Sequence, residues 1–240
     1  MQEPSKGETV MQSRDGVYWR PGKNLKKVQT MNRSRDLVVS IGLFLTVAFI
    51  VTSANAWRQD TSTTQTAKAI FAGGCFWCME EAFEKVEGVS SVVSGYAGGT
   101  QENPTYQQVS SGRTTHYEVI EVAYDPAIVG YSQLLGVFWR NVDPTDGAGQ
   151  FCDKGAQYRT AVFYKDEEEK RLSEESKKSI EASKPFPETI ATPILPASMF
   201  YAAEGYHQDY YKKNPIRYKY YKWGCGRAQR LEELWGPADH

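Results

Sequence analysis

Two cysteines that follow a pair of glycines are the residues of this chain best suited to chemistry. Cys75 and Cys78 stand in the segment GGCFWC, and the residues after Cys75 have helical spacing. Free backbone N–H groups and the positive end of a helix dipole stabilise a thiolate, which is the nucleophilic form of cysteine. The segment therefore predicts that the pKa of Cys75 is lowered and that its sulfur is a nucleophile.

The pair has three chemical interpretations: a thioredoxin-like redox couple, half of a zinc site, or a nucleophile with a resolving partner. Zinc is the weakest, because the other two cysteines, Cys152 and Cys225, lack the close spacing of four-cysteine metal sites. No metal is therefore expected. A purely structural interpretation, in which the thiols are small buried groups, is disfavoured because the glycines before Cys75 suggest an approach path.

The pattern of apolar residues predicts a strand before the glycines and a helix after them, and these two elements would position the thiols. The predicted strands span residues 68–72, 89–95, 117–124 and 158–164, and the predicted helices span residues 76–86 and 131–141. The order strand, helix, strand, strand, helix, strand is the βαββαβ core of a ferredoxin-like split βαβ fold. The sequence therefore predicts an α+β two-layer sandwich.

The rest of the C-terminal half is expected to lie around this core. Residues 166–183 are mostly charged, which favours a solvated helix. From Pro185 onward we expect a long tail that wraps the sheet, with one helix near residues 202–213. Residues 206–223 interleave bases with aromatic side chains, a pattern that also suits single-stranded nucleic acid. The formal net charge of −1 argues against that use, so no nucleic-acid partner is expected.

Residues 1–66 are predicted to be an extension, separate from one globular domain of residues 67–240. The uncharged apolar stretch 37–52 follows Arg33 and Arg35 and precedes Ala54-Asn55-Ala56, which is the order of a signal peptide. The thirty residues before Met31 are longer than an ordinary n-region. Either Met31 is the true start, or the stretch stays as a membrane anchor. Both alternatives place the domain outside the cytoplasm, periplasmic or secreted.

Six short motifs between residues 74 and 159 resemble those of the A-type peptide methionine sulfoxide reductases, and the resemblance covers roughly residues 68–235. They are GCFW (74–77) followed by Glu80, SGYAGG (94–99), NPTY (103–106), HYE (116–118), DP (143–144) and QYR (157–159). The resemblance implies a thiol-dependent repair enzyme for oxidised proteins, which reduces methionine S-sulfoxide, free or in proteins, to methionine. It also implies no cofactor, a thioredoxin-like or dithiol reductant, and a monomer.

The resemblance assigns the nucleophile to Cys75, which becomes a sulfenic acid, and the general acid to Glu118. On the strand, Glu118 shares a face with Ile120 and Val122, so burial should raise its pKa and keep it protonated. The alternative is an edge-strand carboxylate that faces solvent, as we expect for Glu121.

The resemblance also supplies residues for the sulfoxide group. Tyr106 and Tyr158 match tyrosines that hydrogen-bond the sulfoxide oxygen, and Asp153 matches a carboxylate that acts through water. Phe76 and Trp77 match the aromatic walls that accept the ε-methyl group of the substrate.

The resolving step has two candidates, because the sulfenic acid must be attacked by a second thiol. Cys225 is favoured, since flanking glycines permit a mobile tail and recycling cysteines of the resembled family commonly lie there. Cys78 is second, because thiols one helical turn apart bridge only if that turn frays. Cys152 is expected to line the pocket. A general dithiol carrier that uses Cys75 and Cys78 remains the alternative function.

Overall fold

A computed structural model describes residues 66–237, in which a six-stranded mixed sheet carries the fold. The strands, in chain order, are β1 (Ala67–Gly73), β2 (Val89–Ala97), β3 (Tyr117–Tyr124), β4 (Gly149–Gln150), β5 (Asp153–Lys154), β6 (Thr160–Tyr164), β7 (Ile194–Pro196) and β8 (Tyr201–Ala202). The helices are α1 (Phe76–Phe83), α2 (Tyr106–Ser110), α3 (Tyr131–Arg140), α4 (Glu167–Ser183), α5 (Tyr210–Lys213), α6 (Pro215–Gly224) and α7 (Arg227–Trp235).

The sheet has the strand order β7-β6-β1-β3-β2-β8, and β4 pairs only with β5 in a separate two-stranded sheet. β1 is antiparallel to β3 and β6, β2 is antiparallel to β3 and β8, and β7 is parallel to β6. Strands β1 and β2 therefore run in the same direction on either side of β3. The predicted combination of helices with a sheet is confirmed, in the form of a mixed α/β fold with a six-stranded mixed sheet.

The core lies where α1 and α3 pack on the sheet, because their apolar stripes meet the same face of β1 and β3. Phe71 of β1 stacks on Phe83 of α1 at 5.1 Å and on Phe138 of α3 at 5.5 Å between ring centroids. Burying one such side chain stabilises a fold by about 1.5–3 kcal/mol. A second, smaller apolar cluster includes Tyr117 and Phe163, with Phe200 packed against it.

The predicted central strands and helices agree with the structure to within a few residues, and the differences have local causes. The sequence predicts Tyr158 in a strand, but this residue lies in a 3₁₀ turn (Ala156–Tyr158) before β6. The single helix predicted near residues 202–213 is wrong: Ala202 pairs with Gly95 in the sheet, and Asp209, at φ 54°, precedes the short α5. Helices α6 and α7 were not predicted.

None of the described helices combines the length and the apolar character needed to span a bilayer. The predicted signal peptide or membrane anchor at residues 37–52 lies outside the described residues, as does the rest of the predicted extension up to residue 65.

Arg227 ties the C-terminal helices to the turn before the predicted nucleophile. It is buried and donates to the carbonyl oxygens of Gly73 (3.0 Å) and Asn141 (2.6 Å).

Arg227→Met is expected to lower the free energy of unfolding by about 3 kcal/mol, because the carbonyls lose charge-assisted hydrogen bonds in a buried site. Urea unfolding measures this loss. The control is Arg171→Met, since Arg171 pairs with the exposed Glu168 and Glu175 and its loss should change stability by less than about 1 kcal/mol. Equal midpoints for Arg227→Met and the parent would contradict the structural role of Arg227.

Candidate active site

Cys75 is the N-cap residue of α1, at the turn that links β1 to that helix. Its carbonyl oxygen accepts hydrogen bonds from the N–H groups of Cys78 (3.1 Å) and Met79 (3.4 Å), which begins the helix. Gly74 has φ +80°, and a Cβ there would lie 2.5 Å from the Cβ of Gln150, so only glycine fits. The turn therefore places the sulfur of Cys75 at the N terminus of α1.

The carboxyl group of Glu118 reaches the same helix terminus from β3. Glu118 is buried opposite Tyr96 in the sheet, and its Oε2 accepts a hydrogen bond from the backbone N–H of Phe76 at 3.2 Å. Burial raises the pKa of Glu118 to about 8, and the charges of Asp153 and Cys78 act in the same direction. The apolar neighbours of Glu118 on the strand predict this raised pKa. The carboxyl group of Glu118 is therefore protonated at neutral pH.

The predicted lowering of the Cys75 pKa is wrong. Burial raises the pKa of Cys75 well above its ordinary value, and the neighbouring Cys78 and Glu118 raise it further, against a smaller opposing contribution from Tyr221. The positive end of a helix contributes at most about 2 kcal/mol, whereas burial of an unpaired charge costs more. Desolvation therefore outweighs the helix terminus at this sulfur.

Cys78 carries the depressed pKa instead. A hydrogen-bonding interaction with Cys75 lowers the pKa of Cys78 to about 6, assisted by the charges of Arg227 and Lys222 and by the hydroxyl of Tyr218. The two sulfurs therefore share a proton across this contact. A proton transfer between the two sulfurs is enough to make Cys75 a thiolate.

Tyr106 and Tyr158 lie beside Glu118 and Cys75, as their charge interactions show. Burial raises the pKa of both phenols, and the charge of Glu118 raises it further, so both hydroxyls stay protonated. The backbone N–H of Tyr106 donates to Glu204 at 2.8 Å, which fixes the start of α2. Two neutral O–H donors therefore flank the sulfur and the carboxyl group.

Phe76 and Trp77 contribute aromatic surface, together with His207. Phe76 is fully buried, and its ring centroid lies 5.0 Å from that of His207. Trp77 is half-buried, stacks on Tyr210 at 3.8 Å, and donates from Nε1 to His207 Nδ1 at 3.2 Å. The Tyr106 ring lies 4.4 Å from the same histidine. His207 therefore contacts the rings of Phe76, Trp77 and Tyr106, which together form one apolar wall.

Asp153, on β5, lies between the site and a disulfide that was not predicted. Its Oδ2 accepts a hydrogen bond from the hydroxyl of Tyr221 at 2.5 Å. Cys152 is bonded to Cys225, 73 residues away in sequence, whereas Cys75 and Cys78 are free thiols. The expectation that Cys152 is only a pocket-lining residue is wrong, and in this state the sulfur of Cys225, favoured for resolution, is already bonded.

Three residues of this region were missed because they come from the unpredicted C-terminal helices. Tyr218 is buried against Cys75 and Cys78 and donates to Glu81 at 2.6 Å. Tyr221 lies one turn further along α6, and Arg227 begins α7. The spacing of Tyr218, Tyr221 and Cys225 along one helix face is the available signal, but the sequence predicts only a tail that wraps the sheet in this region.

Comparison with known proteins gives a consistent set of relatives. A family model described as peptide methionine sulfoxide reductase matches residues 67–238. The peptide methionine sulfoxide reductase MsrA of Halalkalibacterium halodurans is 52% identical over 169 residues, which are 70% of this chain and 96% of that protein. The protein of the same name from Bacillus subtilis is 49% identical over 168 residues, which are 70% of this chain and 95% of that protein.

Solved structures agree with these sequence relatives. Mxr1 from Saccharomyces cerevisiae, in its reduced form, has a TM-score of 0.60 at 32% identity, covering 64% of this chain and 88% of that chain. Methionine sulfoxide reductase A of Corynebacterium diphtheriae has a TM-score of 0.56 at 33% identity, covering 65% of this chain and 78% of that chain. A cysteine beside a protonated buried carboxyl group and two phenols suits sulfoxide reduction. The chain therefore belongs to the A-type peptide methionine sulfoxide reductases.

Proposed function

We propose that Cys75 is the nucleophile and Glu118 the proton donor in the reduction of methionine S-sulfoxide by this enzyme. One observation carries the proposal: the sulfur of Cys75 and the protonated carboxyl group of Glu118 meet at the N terminus of α1. A nucleophile alone cannot expel an oxide from sulfur, because the oxygen must be protonated as it leaves. Because the two groups lie close together, Cys75 can attack the sulfoxide sulfur while Glu118 protonates the oxygen.

In the first step Cys75 passes its proton to Cys78 and attacks the sulfoxide sulfur as a thiolate. Glu118 protonates the oxygen while the new sulfur–sulfur bond forms. The substrate S–O bond then breaks as the hydroxyl moves to the sulfur of Cys75, which becomes a sulfenic acid, and methionine leaves with the electron pair of the sulfur–sulfur bond. The substrate sulfur is reduced by two electrons and the Cys75 sulfur is oxidised by two, so the step balances.

The remaining site residues position the reacting group. Tyr106 and Tyr158 donate hydrogen bonds to the sulfoxide oxygen, and each can do so while neutral. Asp153 supports Glu118 through its negative charge, which raises the pKa of that carboxyl group. Phe76 and Trp77 contact the ε-methyl group, and an apolar wall opposite polar donors selects the S epimer.

The sulfenic acid is next attacked by a second thiol, and Cys78 is the better-placed of the two candidates in this state. Its sulfur lies beside Cys75 and attacks the sulfenic acid, which breaks the S–O bond. The proton that Cys78 took up in the first step goes to the leaving hydroxide, so water is released and a Cys75–Cys78 disulfide remains. Cys225 remains the second candidate once its bond to Cys152 is reduced. A thioredoxin-like protein or a small dithiol then restores the thiols.

Two broader proposals concern the whole chain. The order β6-β1-β3-β2, with β1 and β2 on either side of an antiparallel β3, supports a ferredoxin-like core wrapped by the C-terminal tail. The composition of residues 37–52 supports a signal peptide or membrane anchor and a location outside the cytoplasm, for a monomeric enzyme of residues 67–240.

The function is tested by supplying separate S and R epimers of a methionine sulfoxide peptide with dithiothreitol as reductant. We expect methionine to form from the S epimer at least about 100-fold faster than from the R epimer, because a shaped site discriminates by roughly 3 kcal/mol. Chromatography of the peptide measures both rates. A protein that reduces insulin disulfides yet consumes neither epimer would instead be the general dithiol carrier.

A further inference from the structure

A cavity lies on the side of the thiol pair that faces the C-terminal helices. Its volume is about 1030 Å³, and its lining comes mainly from α1, the end of α3, α6 and α7. Of the two free thiols in residues 66–237, Cys78 lines this cavity and Cys75 does not. The described lining also leaves out Phe76 and Trp77, the aromatic side chains placed against the substrate. The cavity is therefore separate from the site described above.

The lining of this cavity carries more positive than negative charge. Arg140, Lys222 and Arg227 contribute three cations, and Glu232 contributes one carboxylate. Lys222 is paired with Glu81 at 2.5 Å. Arg140 and Glu232 are exposed, so they lie near the mouth. We call this space the cationic cavity, because its charge attracts anions.

Arg227, at the inner end of the cavity, is a buried cation. Only 4% of it is exposed, and its guanidinium donates to two backbone carbonyl oxygens. None of the ion pairs within residues 66–237 includes Arg227 or Arg140. The charge of Arg227 acts at longer range on Asp153 and lowers the pKa of Cys78. Because a buried charge is costly unless an opposite charge lies near it, this guanidinium stabilises an anion that enters the cavity.

Apolar side chains of α7 form the rest of the wall. Ala228, Leu231 and Trp235 line the cavity. The guanidinium of Arg140 lies 5.2 Å from the centroid of the Trp235 ring and donates to the carbonyl oxygen of the same residue at 3.3 Å. Cavities on this scale, with apolar walls and a few polar groups, hold small organic molecules. An organic anion therefore matches both the charge and the wall.

We propose that the cationic cavity binds disulfides of small thiols that carry carboxylates, and that Cys78 attacks them there. The cations select the carboxylates, the wall of α7 takes the carbon skeleton, and the sulfur of Cys78 meets the disulfide bond. Cys78 is then a modification site of its own, reached without passing the substrate side of Cys75. The proposal goes beyond sulfoxide reduction, because it names a second kind of molecule that reacts with the thiol pair.

The reaction is a thiol–disulfide exchange in two steps. The Cys78 thiolate breaks the S–S bond of the ligand, so that one half stays on Cys78 and the other leaves as a thiolate with the electron pair. Cys75, which packs against Cys78, then attacks the Cys78 sulfur and displaces the second half, and its proton goes to a released thiolate. The ligand gains two electrons and the pair loses two, as a Cys75–Cys78 disulfide. The oxidised pair cannot attack a sulfoxide, so turnover stops; that consequence, unlike the site itself, rests on the proposed function.

The first test traps the mixed disulfide on the full chain, whose four cysteines include two free thiols while Cys152 and Cys225 are bonded. The probe is dithiobis(nitrobenzoate), which carries one carboxylate on each half and releases a coloured thiolate. Cys75→Ser should release about one thiolate per chain and keep an adduct that mass spectrometry locates on Cys78. The parent should release about two and keep no adduct, because Cys75 displaces the second half. A stable adduct on Cys75 in the parent, or none on Cys78 in Cys75→Ser, would overturn the proposal.

The second test compares this anionic probe with dithiodipyridine, a neutral aromatic disulfide. Arg140→Gln should slow the anionic probe about 3- to 10-fold and Arg140→Glu at least about 10-fold, because cations at the mouth of a cleft concentrate anions there. The rate with the neutral probe should stay the same, which also shows that the thiols are intact. Arg113→Glu makes the same change of net charge at an exposed turn outside the cavity and should react like the parent.

A slowing of the anionic probe in the Arg140 variants that is no greater than the slowing of the neutral probe would overturn the proposal. Neither test supplies a sulfoxide, so both outcomes are independent of the proposed function. That function fails separately, if the parent does not reduce S-sulfoxide with dithiothreitol.

Discussion

Cys75→Ser is expected to abolish methionine formation, with kcat reduced by at least about 10⁴-fold. A serine hydroxyl remains protonated at neutral pH, and an alcohol is a poor nucleophile toward sulfur. The surroundings of Cys75 already raise its pKa, so this site cannot ionise a hydroxyl that is weaker still. Single-turnover assays with S-sulfoxide and no added reductant measure the effect as methionine released per chain.

The comparison for this variant is Cys78→Ser, which removes the neighbouring thiol. That variant keeps the nucleophile and should release about one methionine per chain before it stops, because the first step oxidises Cys75 only once. Cys75→Ser should release none. One equivalent of methionine from Cys75→Ser would show that another sulfur attacks the substrate.

Glu118→Gln is expected to slow the first step by about 10²–10⁴-fold, the usual contribution of a positioned general acid. Glutamine has nearly the same shape, and its carbonyl oxygen can still accept the hydrogen bond from the N–H of Phe76. What the variant lacks is the acidic proton. Stopped-flow measurement of sulfenic acid formation isolates this step from recycling.

The pH dependence identifies the proton donor. The pKa of Glu118 is raised to about 8, so the acid form predominates below that pH and the rate should fall as pH rises through it. Glu118→Gln should lose this decline. Glu121→Gln is the matched control, since Glu121 lies on the same strand and pairs with Lys68 at 2.7 Å. A decline near pH 8 that persists in Glu118→Gln would assign it to another group.

Local sequence was sufficient to predict the framework of the site. The apolar run of β1, the glycine turn and the helical spacing after it are set by neighbours in sequence, and they place Cys75 correctly at the start of α1. The alternation along β3 likewise indicates that Glu118 faces inward. These features follow from the periodicity of apolar residues and from turn-forming glycines alone, without knowledge of distant contacts.

What the sequence could not supply depends on contacts between distant residues. Tyr218 and Tyr221 reach the thiols from more than a hundred residues away, and their burial of Cys75 reverses the expected direction of its pKa. The Cys152–Cys225 bond joins residues 73 positions apart, and four cysteines allow three pairings. Which of these cysteine pairings forms depends on where α6 packs in the folded protein.

The cover provided by α6 has a consequence for the newly made protein. Residues 215–235 are translated well after α1, so the nucleophile leaves the ribosome before Tyr218, Tyr221 and Arg227 exist. Through that interval the thiol of Cys75 is open to water and to any oxidant present. Its protection begins only when α6 and α7 dock, so the synthesis and packing of these two helices is the step that shields this sulfur.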